Sequence, residues 1–356
     1  MAATTVNGAS AGGEFLLKSP GAPDIVDISA EMKRNCSQVA QTTTAEGVVL
    51  KVLFEPSLES LVETSLEMMQ EVHDALVAEL GFAFKTSARL YLVQLGSYPK
   101  SFRAVDRDYG TPRWAFLRTD LTNEERVNVI EGEIYGLFPH EWAHDIFNEK
   151  YGSKSKLWKA RWVVEGIATY LQHLVQWRVA PQTNDPWRGL RIPIFALADT
   201  TLDDLVEWKF LRTIPPDQER LVQDRECYLA AAGLFLRVRA KSGSAGVGAL
   251  LDRLRDNGKI RVKDLELALV QVTGSGFSNL SSISPEEREA ALSEALAALN
   301  GPERKRRLYG LALLNRLPEH SAQYQERIRR LLASPEIDGG VRRVAEELIE
   351  RVPADQ

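Results

Sequence analysis

Leu137-Phe138-Pro139-His140-Glu141-Trp142-Ala143-His144-Asp145 decides how this chain is read, because it holds the pattern H-E-x-x-H in a sequence with only 5 His. Two histidines four positions apart on a helix lie about 6 Å apart along the axis and about 40° around it, so both imidazoles can reach one tetrahedral cation. Glu141 sits about 100° further round from His140 and flanks that cation. A carboxylate there can hold a metal-acidified water and take its proton, so the pattern calls for Glu as a base and not as a ligand. Pro139 lacks an N–H, so the helix either starts there or is kinked.

A hydrolytic metal site needs a third protein ligand and an open position for water. The continuation H-x-x-G-x-x-H would require Gly at position 147 and His at position 150, where the chain has Phe147 and Lys150. Further on, Trp162-Val163-Val164-Glu165-Gly166-Ile167-Ala168-Thr169-Tyr170 places a carboxylate 21 positions after His144, on a second expected helix, Lys159 to Arg178. Gly152 and Ser153 allow the turn between the two. Apolar Trp162, Val163 and Val164 lead into a charge that is costly to bury without a partner such as a metal, and Gly166 lets this helix approach its neighbour closely. On the residues alone, histidines that merely hydrogen-bond in a core and a Glu165 in a surface salt bridge remain the plain alternatives.

Taken together, His140-Glu141-Trp142-Ala143-His144 and Glu165-Gly166-Ile167-Ala168-Thr169-Tyr170 resemble the gluzincin metallopeptidases, the superfamily of thermolysin and aminopeptidase N. The likeness is strongest to bacterial peptidase domains with an E-G-x-A-x-Y signature. This resemblance implies one zinc per chain held by His140, His144 and Glu165, with Glu141 as catalytic base and a peptide or protein as substrate. It extends more weakly from the strand at Arg89 to Asp256, and implies that the strand before the zinc helix binds peptide. Cys227-Tyr228-Leu229-Ala230-Ala231-Ala232-Gly233-Leu234-Phe235-Leu236 resembles the later helix that often opens with a Tyr facing the zinc, which implies Tyr228 as a catalytic oxyanion donor. Tyr170 competes for that role, and either tyrosine also reads as simple packing. The glycine-and-glutamate motif with which aminopeptidases of the superfamily grip a free amino terminus is absent from Tyr109 to Leu121. Endo- or oligopeptidase action is therefore expected over aminopeptidase action. The expectations from other classes are a non-catalytic interaction scaffold with a structural or degenerate zinc site, and a zinc hydrolase of a non-peptide amide.

Outward from these segments, the pattern predicts an α+β fold. Strands are expected at Phe15 to Lys18, Gly47 to Phe54, Arg89 to Leu95 and Arg113 to Leu117, with a long helix from Pro56 to Leu80 stopped at Gly81. A basic, aromatic loop carries Tyr98, Lys100, Arg103 and Arg107. Helices follow from Glu124 onward. All 7 Trp lie between Trp114 and Trp208, whereas the segment after Pro285 is rich in Leu, Ala, Arg and Glu. The expected division is a disordered lead over 1–13, a metallopeptidase domain over 14–283 and an all-α helical-hairpin module over 284–356. Within that domain a mixed-sheet lobe runs to about 123, a helical lobe over 124–272 closes a zinc cleft, and 273–283 is a Gly/Ser-rich linker. The terminal module is a candidate surface for a protein partner.

The chain has 356 residues and a formal net charge of −5, which favours neither nucleic acid nor anionic lipid as a general partner. The longest apolar run, Cys227 to Leu236, is far short of the roughly 20 residues that cross a bilayer, so no membrane insertion is expected. The start of the chain as given carries no signal peptide pattern, and the compartment stays open. Cys36 and Cys227 allow at most one disulfide. His73, His173 and His320 read as surface or helix-face residues, and Arg304 to Arg307 as a solvated helix face.

Overall fold

In the computed structural model, residues 26–27, 33–80, 82–95, 102–103, 113–152, 155–179, 191–208, 218–256, 260–302, 304–335 and 337–351 are described. The expected strand at Phe15 to Lys18, the lead over 1–13 and the loop residues Tyr98, Lys100 and Arg107 lie outside them. A short parallel pair joins β1 (Val26–Asp27) to β5 (Phe102–Arg103). The main sheet sets β2 (Gln38–Thr43), β3 (Val49–Phe54), β4 (Ala88–Leu95) and β6 (Arg113–Arg118) side by side in that order. β2 runs antiparallel to β3, while β3 with β4 and β4 with β6 are parallel, with Val52 opposite Leu90 and Leu92 opposite Ala115.

Alternation explains the sheet. Leu50, Val52 and Phe54 of β3 are buried, and Val49, Lys51 and Leu53 between them are half-buried. β4 is a central strand and buries Leu90, Tyr91, Leu92 and Val93 on both faces, as a parallel strand covered on two sides must. The connection from β3 to β4 is a short 3-10 turn, Pro56–Leu61, and α1 (Val62–Leu80), which buries Met69, Val72, Ala75 and Leu76.

The rest is helical, which makes the fold α+β with a small mixed sheet. Thr122 caps α2 (Asn123–Ile134) through a reciprocal pair with Glu125. α3 (Phe138–Tyr151) carries Pro139 in its first turn, where a missing N–H costs no intrahelical bond, so the helix starts at this point and is not kinked. α4 (Arg161–Val179) is buried for most of its length against α3 and against α7 (Gln218–Asp256), with α5 (Arg191–Ala198) and α6 (Leu202–Glu207) between α4 and α7 in the chain. Gly243 breaks α7 with φ +68°, a conformation that disfavours any side chain. Among the described residues no helix is long and apolar enough to cross a membrane.

α8 (Val262–Thr273) ends on Gly274 in the left-handed conformation. The stretch 273–283, expected to be a linker, is instead structured: it contains α9 (Phe277–Ser281), and Phe277 and Leu280 are buried in the main core. α10 (Pro285–Leu299), α11 (Arg304–Leu314), α12 (Ser321–Ala333) and α13 (Gly339–Arg351) follow around a second apolar cluster. Ion pairs from Arg237 to Glu287, from Arg191 to Glu294 and from Arg316 to Glu226 tie these helices to the earlier ones. His73 and His173, expected at the surface or on a helix face, are buried; His73 packs among Thr44, Phe84 and Trp142. Cys36 and Cys227 are free and buried.

α4 and α7 meet at a glycine. A Cβ on Gly166 would lie 2.8 Å from Ala231 Cβ and 3.1 Å from the Phe235 ring, too close for either to stay in place. Gly166→Ala is therefore expected to lower stability by about 1–3 kcal/mol through overpacking, read as a fall in the urea midpoint with an unchanged slope.

Candidate metal centre

Helical spacing brings His140 and His144 to one face of α3, their rings 4.9 Å apart and nearly perpendicular at 83°. α4 crosses that face and sets Glu165 Oε2 3.4 Å from His140 Nε2 and 3.6 Å from His144 Nε2. One donor atom from each of the three residues falls within 4.8 Å of the others. Both distances are long for a hydrogen bond, whose usual N···O separation is about 2.9–3.0 Å. They match ligands about 2.0–2.1 Å from a shared tetrahedral ion, which stand about 3.3–3.4 Å from one another. Two imidazole nitrogens and one carboxylate oxygen are also the donor set that suits a borderline-soft divalent ion. The residues fit a metal.

The surroundings agree. Glu165 is only 3% exposed, and the imidazoles and Glu141 are buried with it. Thr169, one turn beyond Glu165 on α4, faces His140 Nδ1 with its hydroxyl at 3.5 Å, so the nitrogen turned away from the site meets a polar group that can orient the ring. His144 Nδ1 is buried without a hydrogen-bond partner among the described residues. Burial alone would raise the Glu165 pKa, but interaction with both imidazoles overrides it and holds the carboxyl well below the usual range. Burial likewise disfavours the charged form of His144, and Glu165, Glu141 and Asp145 outweigh it and push the imidazole up.

The two tyrosines go to different places. The Tyr228 ring lies 6.3 Å from the His140 ring, and its hydroxyl accepts a hydrogen bond from Arg161 Nη2 at 3.1 Å. Burial first, and the Glu165 charge second, raise its pKa. Tyr170 donates instead to Glu79 Oε1 at 2.9 Å, in a partly buried cluster with Arg239 and Ser244. The half-buried Trp158 stands 6.4 Å from His144, ring to ring. The sequence reading missed Arg161 and Thr169. The signal was present, since they lie four before and four after Glu165 and so share its helix face.

No family model matches the chain, and no curated protein matches it. Among solved structures it is similar to native yeast LTA4 hydrolase, with a TM-score of 0.38 and 13% sequence identity over 88% of this chain and 62% of that one. The chain thus spans less than two thirds of that structure's length.

The purified protein is expected to bind one divalent ion per chain, and His140→Ala, His144→Ala or Glu165→Ala to abolish tight binding, as read by calorimetry. A metal takes only the neutral imidazole, and His144 is pushed toward its protonated form, so binding releases a proton and affinity falls as pH is lowered. In the metal-free chain the lowered Glu165 pKa stabilises above the ordinary carboxylate value of about 4.3, and that contribution is lost as pH falls. The raised His144 pKa stabilises below about 6.5 and is lost as pH rises. The contact therefore contributes most between those two values, which thermal melts of the chelated protein across that window check.

Proposed function

We propose that the chain is a zinc-dependent peptidase that hydrolyses bonds within peptides, as an endo- or oligopeptidase. The observation that carries this reading is the carboxylate oxygen of Glu165 seated at ligand distance from two imidazoles, with the carboxylate of Glu141 buried beside them on the same helix. A purely structural site has no use for that second carboxylate. When bound, zinc supplies a polarised scissile carbonyl and an acidified water.

The protein's own groups supply the proton traffic. Glu141 takes the proton of the attacking water on its carboxylate and passes it to the leaving amine nitrogen. Tyr228 donates its phenolic hydrogen to the oxyanion that develops on the attacked carbonyl; the position of its ring near His140 supports this. Thr169 holds the His140 ring in orientation, and the buried walls keep bulk water from the base. The preference for internal bonds rests on the sequence between Tyr109 and Leu121, which has no glycine-and-glutamate segment to hold a free amino terminus.

Cleavage of a mixed quenched-fluorescence peptide library, with and without a zinc chelator, tests the reading; a zinc-loaded chain that cleaves nothing overturns it. Glu141→Gln should retain zinc and lose nearly all hydrolysis, because the near-isosteric amide cannot accept the proton. Tyr228→Phe should lower kcat by about 10²- to 10³-fold with a smaller change in KM. Tyr170→Phe should leave kcat near wild type and lower stability instead, since its hydroxyl serves Glu79.

A further inference from the structure

Beside the three ligating side chains lies a second buried constellation. Arg161 opens α4 four residues, about one helical turn, before Glu165, so the two share a face, and it is 6% exposed. Its guanidinium pairs with Asp224 through both terminal nitrogens, Nη2 lying 3.1 Å from Oδ2. Asp224 also receives the indole N–H of Trp208 at 2.8 Å. The guanidinium carbon sits 4.2 Å from the centroid of a Trp208 ring and 5.2 Å from that of Tyr228. The rings of Trp208 and Tyr228 meet edge to face at 4.8 Å. Asp224 and Tyr228 are themselves one turn apart on α7, so a single arginine from α4 grips two groups on one face of α7.

Arginine has only donors, so in the 3.1 Å contact from Nη2 the Tyr228 oxygen is the acceptor. That leaves the phenol's own hydrogen for another acceptor, and a lone pair engaged by a cation makes the phenol a stronger donor. Asp224 anchors the guanidinium through both terminal nitrogens and Trp208 packs against it, so the donor that meets Tyr228 is held in place.

The geometry points to Arg161 as a positioning residue for Tyr228, one that, anchored by Asp224, aims and polarises the phenolic hydrogen toward the reacting carbonyl. This rests on the peptidase reading of Tyr228. Arg161 acts through the tyrosine, whose oxygen its Nη2 meets at 3.1 Å. Lysine in its place keeps the charge beside Asp224 but loses the planar fork that serves both partners.

A double-mutant cycle tests this on the full zinc-loaded chain, using the peptide that wild type cleaves fastest from the mixed library. Arg161→Lys should lower kcat about 10- to 100-fold, the scale of a lost hydrogen bond to a charged group, with KM and zinc content nearly unchanged. In a Tyr228→Phe background the same substitution should change kcat less than about twofold. Equal losses in both backgrounds, or wild-type kcat in Arg161→Lys, overturn the proposal while leaving the peptidase reading intact. A Tyr228→Phe variant with wild-type kcat overturns both the tyrosine's role and this proposal, and zinc-dependent cleavage by that variant shows that the peptidase itself stands. If Arg161→Lys does not fold, the neutral pair Arg161→Gln with Asp224→Asn enters the same cycle. The contact also reads out without metal or turnover. In chelated protein labelled with nitrogen-15 arginine, the Arg161 guanidinium should give a slowly exchanging signal that Tyr228→Phe shifts; an unshifted signal overturns the contact.

Discussion

A carboxylate buried between two imidazoles is costly to hold, because each ion removed from water carries a penalty of several kcal/mol that only close, well-oriented partners offset. Glu165 meets that condition because α4 crosses α3 at short range. On another side of α4, Gly166 has no side chain to hold the helices apart, and α4 settles closely against Ala231 and Phe235 of α7. On one face of α4, Arg161, Glu165 and Thr169 follow one another turn by turn and meet Tyr228, the two imidazoles and the back of His140. The helix acts as a ruler, and its spacing sets where each group stands.

The rotation of that ruler is fixed from its other side. Tyr170 follows Glu165 by five residues, about 140° round the axis, and donates into the Glu79 carboxylate, which also takes Arg239 and Ser244. Glu79 lies in the last turn of α1, while Arg239 and Ser244 flank the Gly243 break in α7. Three helices thus converge on one carboxylate behind the ligating residues. A roll of α4 that moved Glu165 would also pull on these bonds.

Local patterns were legible in the sequence, and partners were not. The imidazole pair could be read because helical spacing alone places residues four apart on one face, and Glu165 because an apolar run leads into it. The sheet strands at Val49–Phe54 and Ala88–Leu95 announce themselves by apolar alternation and continuity. β2 gave no such signal: Gln38–Thr43 is a largely exposed edge strand, specified by its pairing with β3 rather than by its own apolar residues. The glycines and serines of 273–283 imitate a linker, yet Phe277 and Leu280 find the main core and make the stretch part of it. His73 was misplaced because its polar contacts with Thr44 and Asp74, and its place beside Trp142, come from distant or adjacent groups that no periodicity marks. Helical spacing marks the face on which Arg161 lies but not its partners, since Asp224 and Tyr228 stand more than sixty residues away.

The short helix α5 belongs to two interiors at once. Ile192 and Phe195 face the apolar cluster of the terminal helices, while Ala196 and Leu197 sit in the main core. Behind it, Gly233 of α7 comes so near the Pro193 carbonyl that a Cβ would stand 2.2 Å from the oxygen. Neither interior can open without stripping cover from a side of this eight-residue beam, so loosening in one is felt in the other. Heat should therefore meet the molecule as a single cooperative body, and the four terminal helices act as a clamp whose grip reaches, through α5, the helix that carries Tyr228.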